Sequence, residues 1–475
     1  MSYDVVIIGG GIAAVSAAQA ISEENAELSV GLVAGGGVVK AVANWRRLGK
    51  ALESFDVVEE EAGSAFKDLP SVHHIPAFAD RWLPEEKRLE LSDGQFLSYQ
   101  KLLIATGGVP RLTIRHPRVL GIRDTESVLA FQTRLSGARR VVVLGNGGIA
   151  TELVYELSGV EVLWAIKHAS ISATFVDAGA AAFFLPSLEA DKAPEGPVKR
   201  ERFKAEPSSD SVSAVPGSAL GPDWAAQLQL RGSREDRKRT VSVEYKVECS
   251  AVLEPHEVAV EHRDEEKSWP VYVSLSNGKV VGCDLIVGAT GVRPNTDLWL
   301  SACPSLKANE DGGILVGEDF HSSQDGVYAA GDSCTTDWPH RPHWFQMRLW
   351  TQARQMGYAA GLAMAKALEG QPPPVPDIAF DIFTHATRFF GFKVVLLGAF
   401  NSQRLGPTHQ ALLRVRKGEE YVKVLVEEGR VQGAILIGET GLEEMLENLI
   451  LDGVDISAIQ DHLLDPDIDI EDYFD

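Results

Sequence analysis

Two copies of one short pattern constrain this chain more than any other feature of its sequence. Residues 5–14 read VVIIGGGIAA, and residues 141–150 read VVVLGNGGIA. Each copy is an apolar run followed by G-x-G-x-x-A, the pattern expected where a strand turns sharply into a helix. At such a turn the backbone can approach a pyrophosphate, and the first amides of the helix attract its negative charge. The two copies therefore predict two bound dinucleotides, of which the economical pair is a flavin and a nicotinamide.

Length and charge set the outer limits of the fold. At 475 residues the chain is too long for one ordinary core, so about two to four domains are expected. Its apolar runs stay short of the roughly 20 residues that span a bilayer, and the first strand begins too early for a leader peptide. A net charge of −22 disfavours binding to nucleic acid or to anionic membranes. We predict a cytoplasmic and nuclear protein.

Cysteine usage argues against several kinds of site. The chain has four cysteines, and none of them form a C-x-x-C or C-x-x-x-x-C pair. This spacing argues against a disulfide scaffold, an iron–sulfur cluster or a structural zinc site, and it suits a reducing compartment. We therefore predict no metal centre. The cysteines are Cys249, Cys283, Cys303 and Cys334.

The order of apolar runs predicts a doubly wound α/β architecture. A strand at 3–8, a helix at 11–22 and a strand at 28–34 form a βαβ unit, which favours a parallel sheet. A second βαβ unit begins at Arg139, and the Pro-rich linker at 372–376 precedes a third, α+β region. In that region we predict strands at 393–400, 411–416, 420–427 and 431–437 and a helix at 441–451.

Further short motifs accompany the two glycine turns. They are Ala105-Thr106-Gly107 with Pro110, Glu152 just after the second turn, Ala289-x-Gly291 with Pro294-Asn295, and Tyr328-Ala-Ala-Gly331-Asp332. In combination they resemble the motifs of the pyridine nucleotide-disulfide oxidoreductase superfamily, the flavoproteins with two dinucleotide-binding domains. The resemblance implies an α/β fold of the glutathione-reductase type, with two Rossmann-like domains, for FAD and for NAD(P), and a C-terminal α+β domain.

That resemblance also implies an order of domains along the chain. The FAD domain is expected to be interrupted by the NAD(P) domain and then completed. A region rich in Pro, Ser and charged residues, at 190–240, predicts a surface loop inserted in the NAD(P) domain. The expected boundaries are 1–113 and 283–371 for the FAD domain, 114–282 for the NAD(P) domain, and 376–475 for the C-terminal domain with an acidic tail at 461–475.

The resemblance assigns two sets of cofactor residues. For FAD, the glycine turn would hold the pyrophosphate, Asp332 would bond the ribityl chain, and the helix near Arg348 would end on the flavin pyrimidine. The candidate FAD residues are Gly9, Gly11, Ile12, Ala13, Ala14, Lys40, Ala105, Thr106, Gly107, Asp332, Leu349 and Trp350. The candidate NAD(P) residues are Gly145, Asn146, Gly147, Gly148, Ile149, Glu152, Lys167 and Gly291.

Lys40 and Glu152 form the candidate catalytic pair. In the superfamily, a glutamate at the position of Glu152 pairs with a lysine close to flavin N5, and Lys40 is the matching candidate here. A positive charge there makes physical sense, because hydride arrival at N5 places negative charge on the ring. The alternative is that Lys40 is an ordinary surface lysine.

The chain departs from the superfamily at both ribose sites. Dinucleotide sites often end the second strand of the βαβ unit with an acid that binds the ribose diol. Here the strands end at Ala34 and at Lys167-His168, without an acid. Lys167 and His168 could accept the 2′-phosphate of NADPH, but a solvated strand end is an equally good interpretation. The choice between NADH and NADPH stays open.

A second departure concerns the reaction itself. The disulfide reductases of the superfamily carry two cysteines after the second strand, whereas residues 35–45 contain none. The C-terminal His–Glu pair of those enzymes is also not evident. We therefore expect NAD(P)H to reduce FAD, and the flavin to pass electrons to a non-disulfide acceptor such as oxygen, a quinone, a dye or an oxidised partner. Cys334 is expected to be small buried filler.

A second function class is a redox-sensing binding module. In that hypothesis the NAD(P)H-reduced, charge-transfer state of the flavin controls partner binding, with little turnover. The resemblance supports it, because the most similar type of member is associated with protecting the eukaryotic tRNA ligase complex from oxidation by binding its catalytic subunit. The tail at 465–475 alternates acids with apolar residues, so it is either a docking peptide or a solubilising tail. A monomer and a homodimer are equally compatible with the sequence.

Overall fold

The computed structural model describes most of the chain. The expected insert at 190–240 lies almost entirely outside the described residues, as does the tail beyond Pro466. The described residues are 1–112, 114–189, 224, 228–234, 240–259, 268–336, 338 and 340–466.

The first region begins with the predicted βαβ unit. The helix and the two strands lie within two residues of their expected bounds. The elements are β1 (Ser2–Ile8), α1 (Ile12–Glu24), β2 (Val30–Val33), β3 (Val38–Arg47), β4 (Glu53–Glu61), α2 (Ala62–Ala65), β5 (Val72–Ile75), β6 (Ala79–Leu83), β7 (Arg88–Leu91), β8 (Phe96–Ile104) and β9 (Gly108–Pro110).

The second region contains the second βαβ unit and a small antiparallel sheet. Its elements are β10 (Val119–Gly121), α3 (Thr125–Leu135), β11 (Arg140–Leu144), α4 (Gly148–Glu156), β12 (Glu161–Ile166), α5 (Ala178–Glu189), β13 (Thr240–Tyr245), β14 (Cys249–Leu253), β15 (Val271–Leu275), β16 (Val280–Cys283) and β17 (Leu285–Gly288).

The remaining regions complete the first sheet and build the C-terminal domain. Their elements are β18 (Val292–Pro294), α6 (Asp297–Ala302), β19 (Ile314–Val316), β20 (Val327–Ala329), β21 (Cys334–Thr336), α7 (Trp350–Leu368), β22 (Thr384–Phe389), β23 (Phe392–Gly398), β24 (Gln410–Arg416), β25 (Glu420–Glu427), β26 (Arg430–Ile437) and α8 (Glu443–Asp452).

Two parallel sheets carry the two glycine turns. The first has seven strands in the order β5-β2-β1-β8-β7-β6, with β20 also paired to β8. Its central strands are parallel, and β6 and β7 run antiparallel. The second is fully parallel, in the order β10-β17-β11-β12-β13. The expected pair of Rossmann-like α/β units is therefore confirmed.

Helices α1 and α7 pack with their backbones in close contact on the first sheet. A Cβ atom at Gly357 would lie 2.1 Å from the carbonyl oxygen of Ala13, and one at Gly361 would lie 2.5 Å from that of Ala17. Glycine is therefore required at both positions of α7. The close approach aligns the first turns of the two helices along the same side of the sheet, where the first glycine turn lies.

The segment after β2 differs from the disulfide reductases described above. Instead of a helix that carries cysteines, β3 and β4 form an antiparallel hairpin. Alternating apolar residues bury the first half of β3, whereas its second half, Asn44–Arg47, is exposed. Sequence analysis assigned no element here.

The C-terminal domain is a five-stranded antiparallel sheet in the order β22-β23-β26-β25-β24 with α8 against it. The four predicted strands and the helix are present within two residues of their expected bounds. Strand β22 was missed. Phe183 and Phe184 of α5 contact rings of this sheet, with centroid distances of 5.1 Å to Phe392 and 5.0 Å to Phe390. One hydrophobic core thus spans the second parallel sheet and the C-terminal sheet.

No helix in the described part of the chain combines the length and the apolarity that a membrane crossing requires.

Candidate functional site

The two glycine turns have the same local geometry. Gly9 has φ +131°, and an added Cβ atom would lie 2.3 Å from the carbonyl oxygen of Ala105. Gly145 has φ +124°, and its Cβ atom would lie 2.1 Å from the carbonyl oxygen of Ala289. In both units the turn therefore packs against the end of a neighbouring strand, and only glycine fits.

Each turn leads into a helix whose first amides have no side-chain cap. Gly11 is the N-cap of α1 and Gly147 is the N-cap of α4, and neither cap position has a side-chain hydrogen bond. The first turns of these helices also contain no acidic residue. Uncapped amides at the positive end of a helix favour an anion such as a pyrophosphate.

One cavity of about 560 Å³ adjoins both turns. Most of the predicted cofactor residues line it. From the first set these are Gly9, Gly11, Ile12, Ala13, Lys40, Ala105, Thr106, Gly107, Asp332, Leu349 and Trp350. From the second set they are Gly147, Gly148, Ile149, Glu152 and Gly291.

Four predicted residues do not line the cavity. Ala14 is wholly buried under α1, and Gly145 is wedged against Ala289. The Asn146 side chain is buried in structural hydrogen bonds, accepting from the amide of Ser172 at 2.6 Å. Lys167 is exposed at the end of β12. For these residues the prediction of a place in the wall of the central cavity is wrong: the first three are held inside the protein and Lys167 is directed to solvent.

The expected Lys40–Glu152 pair is not what the structure forms. Lys40 is buried and makes an ion pair with Glu59 of the β3–β4 hairpin. Its ammonium group also lies 3.1 Å from the hydroxyl of Thr125. Glu152 instead accepts a hydrogen bond from the indole of Trp224. The prediction that these two residues pair is therefore wrong, although both line the cavity, because the hairpin brings a different carboxylate to Lys40.

Comparison with known proteins agrees with this geometry. The family model described as pyridine nucleotide-disulphide oxidoreductase matches residues 3–190 and 240–357. The chain belongs to that family. A human relative, pyridine nucleotide-disulfide oxidoreductase domain-containing protein 1, is 44% identical over 491 residues, covering 99% of this chain and 97% of that protein. The protein of the same description from Dictyostelium discoideum is 32% identical and covers 99% of each chain.

Solved structures show the same fold. A ferredoxin reductase from Rhodopseudomonas palustris superposes with a TM-score of 0.68 at 16% identity, covering 99% of each chain. A water-forming NADH oxidase from Lactobacillus brevis superposes with a TM-score of 0.65 at 16% identity, covering 97% of this chain and 92% of that one. Membership of the pyridine nucleotide-disulphide oxidoreductase family makes the chain an NAD(P)H-dependent flavin oxidoreductase, with FAD and NAD(P)H as its cofactors.

The cavity fits those family cofactors. Gly35 could not carry a side chain, because its Cβ atom would lie 2.0 Å from the ring of Phe78, so the wall beyond β2 is smooth backbone. Arg123 also lines the cavity, and its Nε atom is buried without a hydrogen-bond partner. An orphaned guanidinium nitrogen beside two uncapped helix ends suits an anionic, hydrogen-bonding ligand.

Asp332 lies in the same wall, as family resemblance implies. Burial raises the pKa of this carboxyl from 3.8 to about 6, against the opposing effect of Arg348 and Arg123. Burial in turn lowers the pKa of Arg123. Asp332 is thus an under-solvated group whose hydrogen-bonding capacity is not satisfied by water, as expected for a side chain that binds a ligand hydroxyl.

The four thiols of this family member lie away from the cavity wall. All are free, and none is among the residues that line the cavity. Cys334 is wholly buried and donates to the carbonyl oxygen of Gly331 at 3.4 Å. Burial raises the pKa of Cys334 and of Cys283, so neither is a ready thiolate. The described residues also hold no group of three or more His, Cys, Asp or Glu side chains placed to bind a metal.

Several cavity residues were missed by sequence analysis. Arg123 follows β10 at the crossover between the two parallel sheets, and His385 and Phe389 belong to β22, which was not predicted. No short motif marks them, because they meet the cavity only through tertiary packing. The missed residues are Phe78, Arg123, Thr174, Phe175, Trp224, His385 and Phe389.

Proposed function

We propose that this protein transfers hydride from NAD(P)H to FAD and passes the electrons to an acceptor that is not a disulfide. The observation that carries the proposal is the single cavity shared by two uncapped glycine turns, without a cysteine in its wall. When bound, FAD supplies the hydride acceptor and the route onward to oxygen, a quinone, a dye or an oxidised partner.

The residues of the chain would act mainly by binding and by electrostatics. The first amides of α1 and α4 would hold the two pyrophosphates. Lys40, oriented by Glu59 and Thr125, holds a positive charge in the wall of the cavity. A fixed cation in a site with little water stabilises negative charge that develops during reduction.

The acceptor class can be tested on the purified, FAD-loaded protein. NADH or NADPH is mixed with the protein and either oxidised glutathione or a quinone-like dye is offered. We expect turnover with the dye and none above background with the disulfide. The variant Cys334→Ala should behave as the wild type does. Disulfide reduction at a rate similar to that of the dye would overturn the proposal.

We also propose a second function, in which the NAD(P)H-reduced state controls binding of a protein partner. It is favoured by the acidic, apolar pattern of the tail at 465–475 and by the absence of redox thiols from the cavity wall. By resemblance the partner is the catalytic subunit of the tRNA ligase complex, protected from oxidation while bound. The four free thiols suit a reducing compartment, so we propose a cytoplasmic and nuclear site of action.

Capture experiments distinguish the two functions. The immobilised protein is mixed with the ligase subunit in the presence of NADH or of NAD⁺. We expect capture with NADH only, and we expect deletion of residues 465–475 to lower the affinity without changing the visible spectrum of the flavin. Equal capture in both nucleotides would refute redox control, and unchanged affinity after the deletion would refute docking by the tail.

A further inference from the structure

A histidine of the C-terminal domain reaches the cofactor cavity. His385 lies in β22, beyond residue 357, where the match to the family model ends. It is wholly buried and also lines the cavity. Its ring centroid is 4.9 Å from that of Trp350 and 6.1 Å from that of Phe175. These two aromatic rings therefore fix the plane of the imidazole at the cavity wall.

Only one nitrogen of His385 has a partner. Nδ1 lies 3.2 Å from the hydroxyl of Thr351 in the first turn of α7, whereas Nε2 is buried and has no hydrogen-bond partner among the described residues. An unsatisfied buried nitrogen destabilises a protein by roughly 1–3 kcal/mol, and such groups are rare in native structures. An orphaned atom in the wall of a binding cavity is explained if a ligand completes it.

The surroundings of His385 indicate which part of a ligand lies there. Trp350 begins α7, and Phe175 packs on the first turn of α4, 3.4 Å from where a Cβ atom of Gly148 would be. His385 thus lies between the start of α7, assigned above to the flavin, and the start of α4, assigned to the nicotinamide dinucleotide. The reactive end of the nicotinamide must approach the flavin between these two helix starts.

The chemistry of the imidazole narrows the ligand group further. Burial lowers the pKa of His385 to about 3, so the ring is neutral at physiological pH. A neutral imidazole donates from one nitrogen and accepts at the other, and the Thr351 hydroxyl is compatible with either tautomer. Nε2 can therefore donate or accept. A primary carboxamide offers both a carbonyl oxygen and an NH₂ group, so it satisfies Nε2 in either tautomer.

We propose that Nε2 of His385 hydrogen-bonds the nicotinamide carboxamide of NAD(P)H, so that the C-terminal domain completes the dinucleotide site of the same chain. This assignment rests on the proposed NAD(P)H oxidoreductase function. His385 is a positioning residue in it, because it holds the amide and takes no part in bond making. The pyrimidine edge of the flavin also carries a donor and an acceptor, and the test separates these two sources.

The test measures binding of the oxidised dinucleotide, which does not react. Isothermal titration of FAD-loaded protein with NAD⁺ gives Kd for the wild type, for His385→Phe, which keeps an aromatic ring, and for His385→Gln, which keeps an amide. We expect His385→Phe to raise Kd about three- to tenfold, the effect of one hydrogen bond. His385→Gln should recover part of that loss, and FAD affinity should stay unchanged in both.

A second measurement does not depend on the folding of any variant. The wild type is titrated with 3-acetylpyridine adenine dinucleotide, in which a methyl group replaces the amide NH₂. We expect weaker binding than for NAD⁺, and we expect His385→Phe to reduce that difference. An unchanged Kd for NAD⁺ in His385→Phe, or a loss of FAD affinity instead, would overturn the assignment but leave the proposed function standing. Wild-type protein that binds FAD but no NAD⁺ would overturn both.

Discussion

Glu447 and Leu52 are joined by a buried hydrogen bond that ties the C-terminal helix to the β3–β4 hairpin. The amide nitrogen of Leu52 lies 2.6 Å from Oε1 of Glu447. The same carboxylate accepts from the amides of Lys50 at 2.6 Å and Ala51 at 2.7 Å. Glu447 is wholly buried, so these three donors compensate for the loss of water around its charge. Helix α8 thus holds the tip of a hairpin whose other end forms a wall of the cofactor cavity.

Replacing Glu447 should destabilise the protein strongly. In Glu447→Ala three amides lose their acceptor, and each unsatisfied group is worth roughly 1–3 kcal/mol. We expect the free energy of unfolding in urea to fall by about 3 kcal/mol or more. Asp452→Ala is the control on the same helix, because it removes only the exposed ion pair with Lys50. That change should stay below about 1 kcal/mol, and equal losses in the two variants would contradict the role of Glu447.

Gly9 and Gly11 should respond differently to alanine, although they belong to one motif. A Cβ atom at Gly9 would collide with the backbone of Ala105, whereas one at Gly11 meets nothing within 4 Å and enters the cavity. We therefore expect Gly9→Ala to lower the stability of the apoprotein. Gly11→Ala should leave that stability near wild type and weaken FAD binding. Thermal unfolding of the apoprotein and the flavin content after reconstitution measure the two effects; the opposite pattern would exclude these roles.

The sequence predicts the parallel sheets because local signals are sufficient for them. A buried parallel strand is a short apolar run, and the glycine turn that follows it is fixed by a backbone collision such as that between Gly9 and Ala105. Both signals lie within about ten residues of one another. The C-terminal strands β23 to β26 were predicted for a related reason, since each alternates or clusters apolar residues between turn residues.

The partners inside the cavity could not be predicted in this way. The choice of Glu59 rather than Glu152 by Lys40 depends on the β3–β4 hairpin, which stands where family resemblance implied a cysteine-bearing helix. His385 depends on how the C-terminal sheet packs on α7. Such contacts join residues far apart in sequence, and neither propensity nor spacing carries information about them.

Asp332 should make the apoprotein less stable as the pH rises. Its pKa in the folded protein is about 6, above the usual 3.8, so the folded state binds the proton more tightly than the unfolded state does. Stability is then lost between about pH 4 and pH 6, and the loss persists above that window. In Asp332→Asn we expect a flatter pH profile of the melting temperature, a more stable apoprotein at pH 7 and weaker FAD binding. A profile that keeps the wild-type slope would contradict the assignment.

Lys40 should depend on Glu59 more than on Glu152 during reduction of the flavin. Glu59 orients the ammonium group that faces the cavity, whereas Glu152 is bonded to Trp224. We expect Lys40→Ala and Glu59→Gln to slow the bleaching of bound flavin by NADH roughly tenfold or more, because a preorganised positive charge is lost or misplaced. Glu152→Gln should have a smaller effect. Stopped-flow absorbance gives the three rates, and a Glu152 variant slower than the Glu59 variant would restore the family pairing and reject the one seen here.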